Sequence, residues 1–395
     1  MLLAGLAAPA SAQSIRGLGY FHGGFFTLGG YGVSTDGSVV TGNSDSPQGT
    51  RAFRWSRADG MLDLGTLGGG TYSHGNVCSA DGHVIVGTGD SPDGIRAYRW
   101  TQDLGMQSLG TLFAGTYSFA QGISADGAII VGFSGAVLGE RAFIWTSDDG
   151  MQSLGTLPGG LNSGGYAISD DGSTVVGYSE SPFGVRAVSW THAESPVSLG
   201  VLPGGAASVA YAASHDGSVI VGASETNSGR HAFRWTAQTG MQDLGVLPFM
   251  RDSYSNDVSE NGQVVVGSSS TPSSRSAFLW TPELGIVDLN QYLRGQGVNM
   301  RGWTLYEAHA VSPDGRTIMG TGVYYGETLG WVVWLDQSCS ICRSDFNCNS
   351  SVDSQDFFDF LQAFTLDAPF ADINNDDRLD TQDVFDFLTS FFSGC

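Results

Sequence analysis

The sequence contains no lysine. All 17 of its cationic residues are arginines, set against 39 aspartates and glutamates, and the formal net charge is −22. An acidic surface repels phosphate backbones, so nucleic acid is not an expected partner. Charge is also sparse, at 14% of residues. No stretch approaches the roughly 20 consecutive apolar residues of a membrane-spanning helix, so no membrane span is expected. The signatures of common catalytic centres are missing: there is no HExxH, GxSxG, GxGxxG or P-loop. The seven histidines are scattered, at His22, His74, His83, His192, His215, His231 and His309. Paired carboxylates for glycoside hydrolysis need only lie about 5–10 Å apart in space, so that chemistry is not legible in sequence order. Cysteine is scarce. Cys78 stands alone, while Cys339, Cys342, Cys348 and Cys395 bracket the C-terminal segment.

Glycine, by contrast, is abundant, at 58 residues, and aromatics reach 11%. That composition is turn-rich and β-rich, and the aromatic content excludes general disorder. The chain opens with a short apolar run ending Ala10-Ser11-Ala12, a small-x-small pattern. Residues 1–12 read as a secretory signal, which places the protein outside the cell or at its surface and permits disulfides. A tetra-cysteine zinc site is the rival account of the C-terminal cysteines. It is disfavoured because Cys348 sits inside a proposed calcium loop and no second CxxC exists.

Trp55, Trp100, Trp145, Trp190, Trp235 and Trp280 stand 45 residues apart, and Trp334 follows after 54, one period plus nine. Such self-similarity marks a repeat architecture. An Asp-Gly pair recurs at Asp36, Asp81, Asp126, Asp171, Asp216 and Asp314, with Asn261-Gly262 in the sixth unit. These pairs lie between short Val- and Ile-rich stretches, the pattern of a hairpin turn. About four strands per unit and seven units predict an all-β, seven-bladed β-propeller over residues 13–336. A parallel β-helix is the less favoured alternative, because its rungs are shorter.

A propeller has to close. Most units end in a strand finishing Leu-Gly, such as Leu64-Gly65 or Leu199-Gly200, but the seventh stops at Trp334-Leu335. The segment Ile15-Arg16-Gly17-Leu18-Gly19 resembles the missing strand and is expected to pair with the last blade, removing an open edge.

The units carry Ser-x-Asp-Gly, Val-Val-Gly, Arg-Ala-Phe-x-Trp (Arg51 to Trp55) and Gly-Met-x-x-Leu-Gly (Gly150 to Gly155). In these motifs, across residues 17–335, they resemble the HAF repeats of extracellular bacterial proteins. The resemblance implies an extracellular repeat protein and no particular chemistry. Residues recurring in every unit are expected to hold blades together: Trp as packing, Asp-Gly as turn, Arg as a cross-strand partner. Function is expected where units differ. The Arg gives way to His231 and Ser276. An insertion from Arg294 to Trp303 brings Arg294, Arg301, Trp303 and Tyr306 together as an expected basic-aromatic surface.

Residues 337–344 form a Cys-containing linker, and the last segment, 345–395, differs sharply. It holds eleven Asp and one Arg. Two stretches place oxygen side chains at positions 1, 3, 5, 9 and 12: Asp345, Asn347, Asn349, Asp353 and Asp356, then Asp372, Asn374, Asp376, Asp380 and Asp383. Ser351 and Arg378, at position 7, would offer backbone carbonyls. That is the ligand spacing of a 12-residue calcium loop, so two Ca2+ ions are expected. Position 6 is Ser350 or Asp377 rather than Gly, and position 12 is Asp rather than Glu, which predicts modest affinity. Apolar residues at helical spacing follow each loop, Phe357 to Phe364 and Val384 to Phe391.

One calcium loop plus one helix, duplicated, with Asp at position 12 resembles a type I dockerin, and the terminal Ser393-Gly394-Cys395 resembles the GC-type variant. The resemblance covers residues 339–395. It implies a cohesin-like or cell-envelope partner recognised partly through Ser354, Gln355, Thr381 and Gln382. The expected protein is thus a secreted, non-enzymatic binding or structural protein attached through calcium, with polysaccharide a further expected ligand. The alternative is a propeller glycoside hydrolase or polysaccharide lyase carrying a dockerin. A channel-facing pair of carboxylates with raised pKa would favour the enzyme, and a featureless or hydrophobic channel the binding protein.

Overall fold

A computed structural model describes residues 14–24, 27–191, 195–335, 354–365 and 379–393. Among them are seven four-stranded antiparallel sheets. Six follow chain order from the innermost strand outward. Blade 4, for example, runs Ser163–Ile168, Thr174–Ser181, Gly184–Thr191, Val197–Gly200. The innermost strands of blades 1 to 7 are Thr27–Val33, Ser73–Cys78, Ser118–Ile123, Ser163–Ile168, Ser208–Ala213, Asp252–Val258 and Trp303–Val311. The seventh sheet takes its outermost strand from the other end of the chain, Ser14–Gly17. The all-β propeller and its expected closure are therefore both observed.

The recurring motifs have local physical roles. In Ser-x-Asp-Gly, Ser79 Oγ donates to Asp81 Oδ1 at 2.5 Å and accepts the Val84 amide at 3.0 Å, while Asp81 Oδ1 accepts the His83 amide at 3.0 Å. Gly82 completes the turn at φ +65°, which a residue with a Cβ enters only at a cost. The repeat Arg is not the cross-strand partner expected. It reaches the next blade: Arg96 Nη1 donates to the Thr116 carbonyl at 2.8 Å, and Arg186 Nη1 to that of Ala206 at 2.7 Å. A buried serine staples the same junction. Ser208 Oγ accepts the Ala187 amide at 2.9 Å and donates to the Gly200 carbonyl at 2.6 Å, and Ser118, Ser163 and Ser253 repeat the arrangement.

The core lies between blades. Between blades 3 and 4, Val131, Ala142, Leu157, Ile168, Val175, Val188 and Trp190 pack together. The repeat tryptophans are thus packing residues, as expected. Cys78 is a free, buried thiol in such a layer, and burial pushes its pKa up to about 12.

The insertion before blade 7 contains helix α1, Leu289–Gly295. Two further helices, α2 (Ser354–Thr365) and α3 (Thr381–Ser393), belong to a second compact unit. Phe360 and Phe387 stack between them at 4.2 Å with their rings nearly parallel, and Phe357, Leu361, Phe364, Leu379, Val384 and Phe391 surround the pair. No helix among the described residues is long and apolar enough to cross a membrane.

Candidate functional site

Each innermost strand carries a β-bulge at one shared position, and the glycine of Val-Val-Gly makes room for it. A Cβ on Gly87 would sit 1.9 Å from the His74 carbonyl oxygen, and one on Gly267 1.9 Å from that of Tyr254. At that position the pairing skips one residue in every inner strand, such as Asn76 between Gly75 and Val77, Tyr166 between Gly165 and Ala167, and His309 between Ala308 and Ala310; the inner strands of blades 1 and 7 have a second irregularity. A bulge re-aims one side chain. Here the skipped residues are Tyr31, Asn76, Gln121, Tyr166, Tyr211, Asn256 and His309, and all seven line one central cavity of about 390 Å³. Each stands five positions before the Asp or Asn of its turn. The position is constant in place and variable in identity, with three tyrosines, three amides and one imidazole.

One mouth of this channel is girdled by backbone hydrogen bonds from blade to blade. Thr35 N donates to Ala80 O at 2.9 Å, Ala80 N to Ala125 O and Ala125 N to Asp170 O at 3.0 Å, His215 N to Glu260 O at 3.3 Å, and Glu260 N to Pro313 O at 2.9 Å. Asp171 N, at 3.2 Å from His215 O, replaces Asp170 N in the series. Pro313 has no N–H, so it cannot donate onward.

At this mouth blades 4 to 6 place Asp170, His215 and Glu260. His215 Nδ1 lies 3.4 Å from Asp170 Oδ2 and 3.9 Å from Glu260 Oε1. Deeper on blade 6, Asp257 fills a place that is Gly or a small apolar residue elsewhere in the ring. Its oxygens accept the Val258 and Val311 amides, each at 2.8 Å. Burial raises its carboxyl to about 7 despite those donors, and the Asp170 charge adds to the rise. Burial also raises Asp170, opposed by His215. Among the described residues no group of three or more His, Cys, Asp or Glu is arranged to hold a metal ion.

The walls differ from side to side. On blades 6 and 7 two lining side chains reach residues outside the lining: Asn256 Nδ2 donates at 3.2 Å to Glu307, which pairs with Arg275 at 2.6 Å, and His309 shares a 2.9 Å hydrogen bond with Thr321. Burial lowers the His309 pKa, opposed by the Glu307 charge. On blades 3 to 5 the wall is aromatic. Tyr166 lies 5.8 Å from both Tyr178 and Tyr211, ring centre to centre, and 6.4 Å from Phe133, which stacks on Phe119 at 4.8 Å. Burial pushes the Tyr166 phenol up to about 12.

The other candidate residues fall as follows. His231 and Ser276, which break the Arg pattern, make pairs within their own blades, with Asp243 at 2.9 Å and Asp288 at 2.7 Å. Trp303 does not join a basic-aromatic surface. It begins the inner strand of blade 7, is buried, and packs on Tyr324 at 4.8 Å, so only Arg294, Arg301 and Tyr306 of that group are exposed. Asp345, Asn347, Asn349, Ser351, Asp353, Asp372, Asn374, Asp376 and Arg378 lie outside the described residues, as do residues 1–12 and 337–344. Ser354 and Thr381 begin α2 and α3, and Gln355 and Gln382 follow them. Asp356 and Asp383 are both buried in the first turns. Asp383 Oδ2 accepts the Asp380 amide at 2.9 Å, and Asp380 Oδ1 accepts that of Gln382 at 2.7 Å.

The class of protein is therefore a seven-bladed β-propeller whose channel is lined from its bulges. Solved structures of similar fold include an oligogalacturonate lyase in complex with manganese, at 13% identity and TM-score 0.52 over 79% of this chain and 90% of that one. Another is an oligogalacturonate lyase from Vibrio parahaemolyticus, at 12% identity and TM-score 0.52 over 82% and 94%. TolB from Acinetobacter baumannii matches at 13% identity and TM-score 0.44, with 64% of this chain covering 63% of that one. At such identities the likeness concerns the fold alone. No family model matches the sequence, and neither does any curated protein.

Proposed function

We propose that the protein is a secreted binding protein whose propeller channel holds a ligand and whose C-terminal module attaches it, through two Ca2+ ions, to a cohesin-like or cell-envelope partner. The observation that carries the reading is the ring of bulge side chains. There the repeats keep position and change chemistry, and the seven side chains converge on a cavity. The attachment half draws on the duplicated oxygen-ligand spacing. Asp356 and Asp383 occupy equivalent places at the starts of two helices, and buried carboxylate oxygens of this kind suit a hard cation. Asp345, Asn347, Asn349, Ser351 and Asp353 would complete the first site with Asp356; Asp372, Asn374, Asp376, Arg378 and Asp380 the second with Asp383. Exposed Phe358 and Phe385, related by the same duplication, are candidates for the partner surface alongside Ser354, Gln355, Thr381 and Gln382.

Calorimetric titration of the full chain with Ca2+ tests the attachment half. Two sites are expected, and Asp345→Ala combined with Asp372→Ala should remove both. Absence of any Ca2+-dependent heat in the unmodified chain would refute it.

A second reading, a polysaccharide-cleaving enzyme, is favoured by the raised carboxyls of Asp257 and Asp170 on the channel wall. It ranks second because both Asp257 oxygens already accept backbone amides. Depolymerisation of a polysaccharide that Asp257→Asn abolishes would reverse that order.

A further inference from the structure

The channel and a second cavity are joined by aromatic rings. The second cavity lies on blades 3 and 4, has a volume of about 520 Å³, and is lined by Tyr117, Glu140, Asn162, Tyr178 and Glu180 among others. It exists because the repeat changes there. The place of Asp90 in blade 2, whose carboxylate takes the Thr71 and Tyr72 amides at 2.7 and 2.8 Å, is Gly135 in blade 3. Across the gap, Glu140 stands where other blades have Thr, Ile, Val or Arg, and it accepts the hydroxyls of Tyr117 and Tyr178 at 3.2 and 2.6 Å. Gly164 admits the Tyr178 ring, which would lie 2.5 Å from a Cβ at that position. From this cavity the rings continue through Tyr117, Phe119, Phe133 and Tyr166 to Tyr211, at successive centre-to-centre distances of 5.9, 4.8, 6.4 and 5.8 Å. All five are half-buried rather than covered.

We infer that this aromatic series is a binding track for an uncharged glycan chain, running from the blade 3–4 cavity into the channel. The inference rests on the reading of the channel as a ligand site. Aromatic faces carry partial negative charge and attract the polarised C–H faces of pyranose rings, while phenol, amide and carboxylate groups beside them take sugar hydroxyls. Gln121 supplies a donor, and the phenol oxygens of Tyr117 and Tyr178 with the carboxylates of Glu140 and Glu180 supply acceptors. Charge sets the class of glycan. Glu140, Glu180, Asp170, Asp257 and Glu260 line the two cavities, and among the described residues no arginine lines either. A polyuronate would meet these carboxylates with no guanidinium to pair its own, so a neutral chain is the occupant.

The test is calorimetric titration of the full chain with neutral hexasaccharides (cellohexaose, xylohexaose and mannohexaose) and, in parallel, hexagalacturonate. At least one neutral chain should bind, hexagalacturonate should not, and Tyr166→Ala should weaken binding about tenfold with an unchanged melting temperature. Tyr211→Ala, at the far end of the series, carries the same expectation should Tyr166→Ala fail to fold. Binding of no neutral chain, or binding indifferent to both substitutions, overturns the track. Preference for hexagalacturonate overturns the ligand class but leaves the channel a ligand site. The calcium titration is untouched by either result, so the two readings fail separately.

Discussion

The Leu18 amide donates to the Gly330 carbonyl at 2.9 Å, repeating the bond that Leu64 makes to Ala52 at 3.1 Å and Leu109 to Ala97 at 2.9 Å within their own blades. Leu18, Leu64 and Leu109 are all buried. Thr27 Oγ1 then takes the Gly19 carbonyl, as Ser73 Oγ takes that of Gly65 at 2.6 Å. The N-terminal strand thus supplies the fourth-strand contacts that the seventh repeat lacks, and the ring has no open edge at that blade.

Removal of residues 14–20 should therefore expose the strand Glu327–Trp334 and its buried Trp331, Val332 and Val333. The expected result is a melting temperature many degrees lower, with aggregation on heating, read by scanning calorimetry and light scattering. An unchanged melting temperature would show that the strand is dispensable.

Blade number, turn positions and closure were all legible because each is written as a residue that must recur: Trp for packing, Asp-Gly for a turn, Leu-Gly for the fourth strand. The channel lining was not. A bulge is set by the fit of an inner-strand carbonyl against a facing glycine, a relation between two strands that no single stretch displays. The available signal was the varying polar residue five places before each turn, from Tyr31 to His309. The longest irregularity, the insertion before blade 7, is more conspicuous in the sequence, but its Trp303 belongs to the core. The Asp170–His215–Glu260 group was out of reach for a simpler reason: its members are 45 residues apart and meet only because consecutive blades pack side by side around the channel.

The facing glycine gives the second prediction. A methyl group on Gly267 would overlap the Tyr254 carbonyl at 1.9 Å and the Phe278 ring at 2.9 Å. Gly267→Ala should cost about 2–3 kcal/mol in urea unfolding, as overpacking does. Gly295→Ala, where nothing lies within 4 Å, should stay within about 0.5 kcal/mol. Equal effects at the two sites would remove steric fit as the reason for the Val-Val-Gly motif.

Phe249 breaks a backbone rule. It sits at φ +66° with its side chain 100% exposed, where the equivalent residues Gly69, Gly159 and Gly204 lie at φ +79°, +77° and +80°. A left-handed conformation costs a residue with a Cβ roughly 1–2 kcal/mol, and the ring recovers nothing by burial within the chain. Phe249→Gly should therefore stabilise the protein by about 0.5–1 kcal/mol, after the entropy cost of glycine. A loss of stability would mean that the exposed ring contributes to the fold.

The pH dependence of stability follows from Asp257. Its folded carboxyl titrates near 7, well above the ordinary carboxylate range, so between about 4 and 7 the folded state holds a proton that the unfolded chain has released. Stability must then fall as pH rises through that window and level off above it. Asp170, His215, Glu260 and His309 line the same cavity and form one cluster with Asp257. The turn aspartates act in the opposite sense at lower pH. Bonds from Ser79 and the His83 amide hold Asp81 below its ordinary range, and Asp126 is held down by Ser124 and the Ala128 amide. Their contribution is present above the ordinary carboxylate pKa and is lost as pH falls below it. Stability should accordingly peak near pH 4–5 rather than at neutrality. Asp257→Asn separates the two effects, because it removes the decline between pH 4 and 7 and leaves the acid limb intact. Melting temperatures of both proteins from pH 3 to 8 would decide it; a decline of unchanged size in the variant would place the responsible proton elsewhere in the cluster.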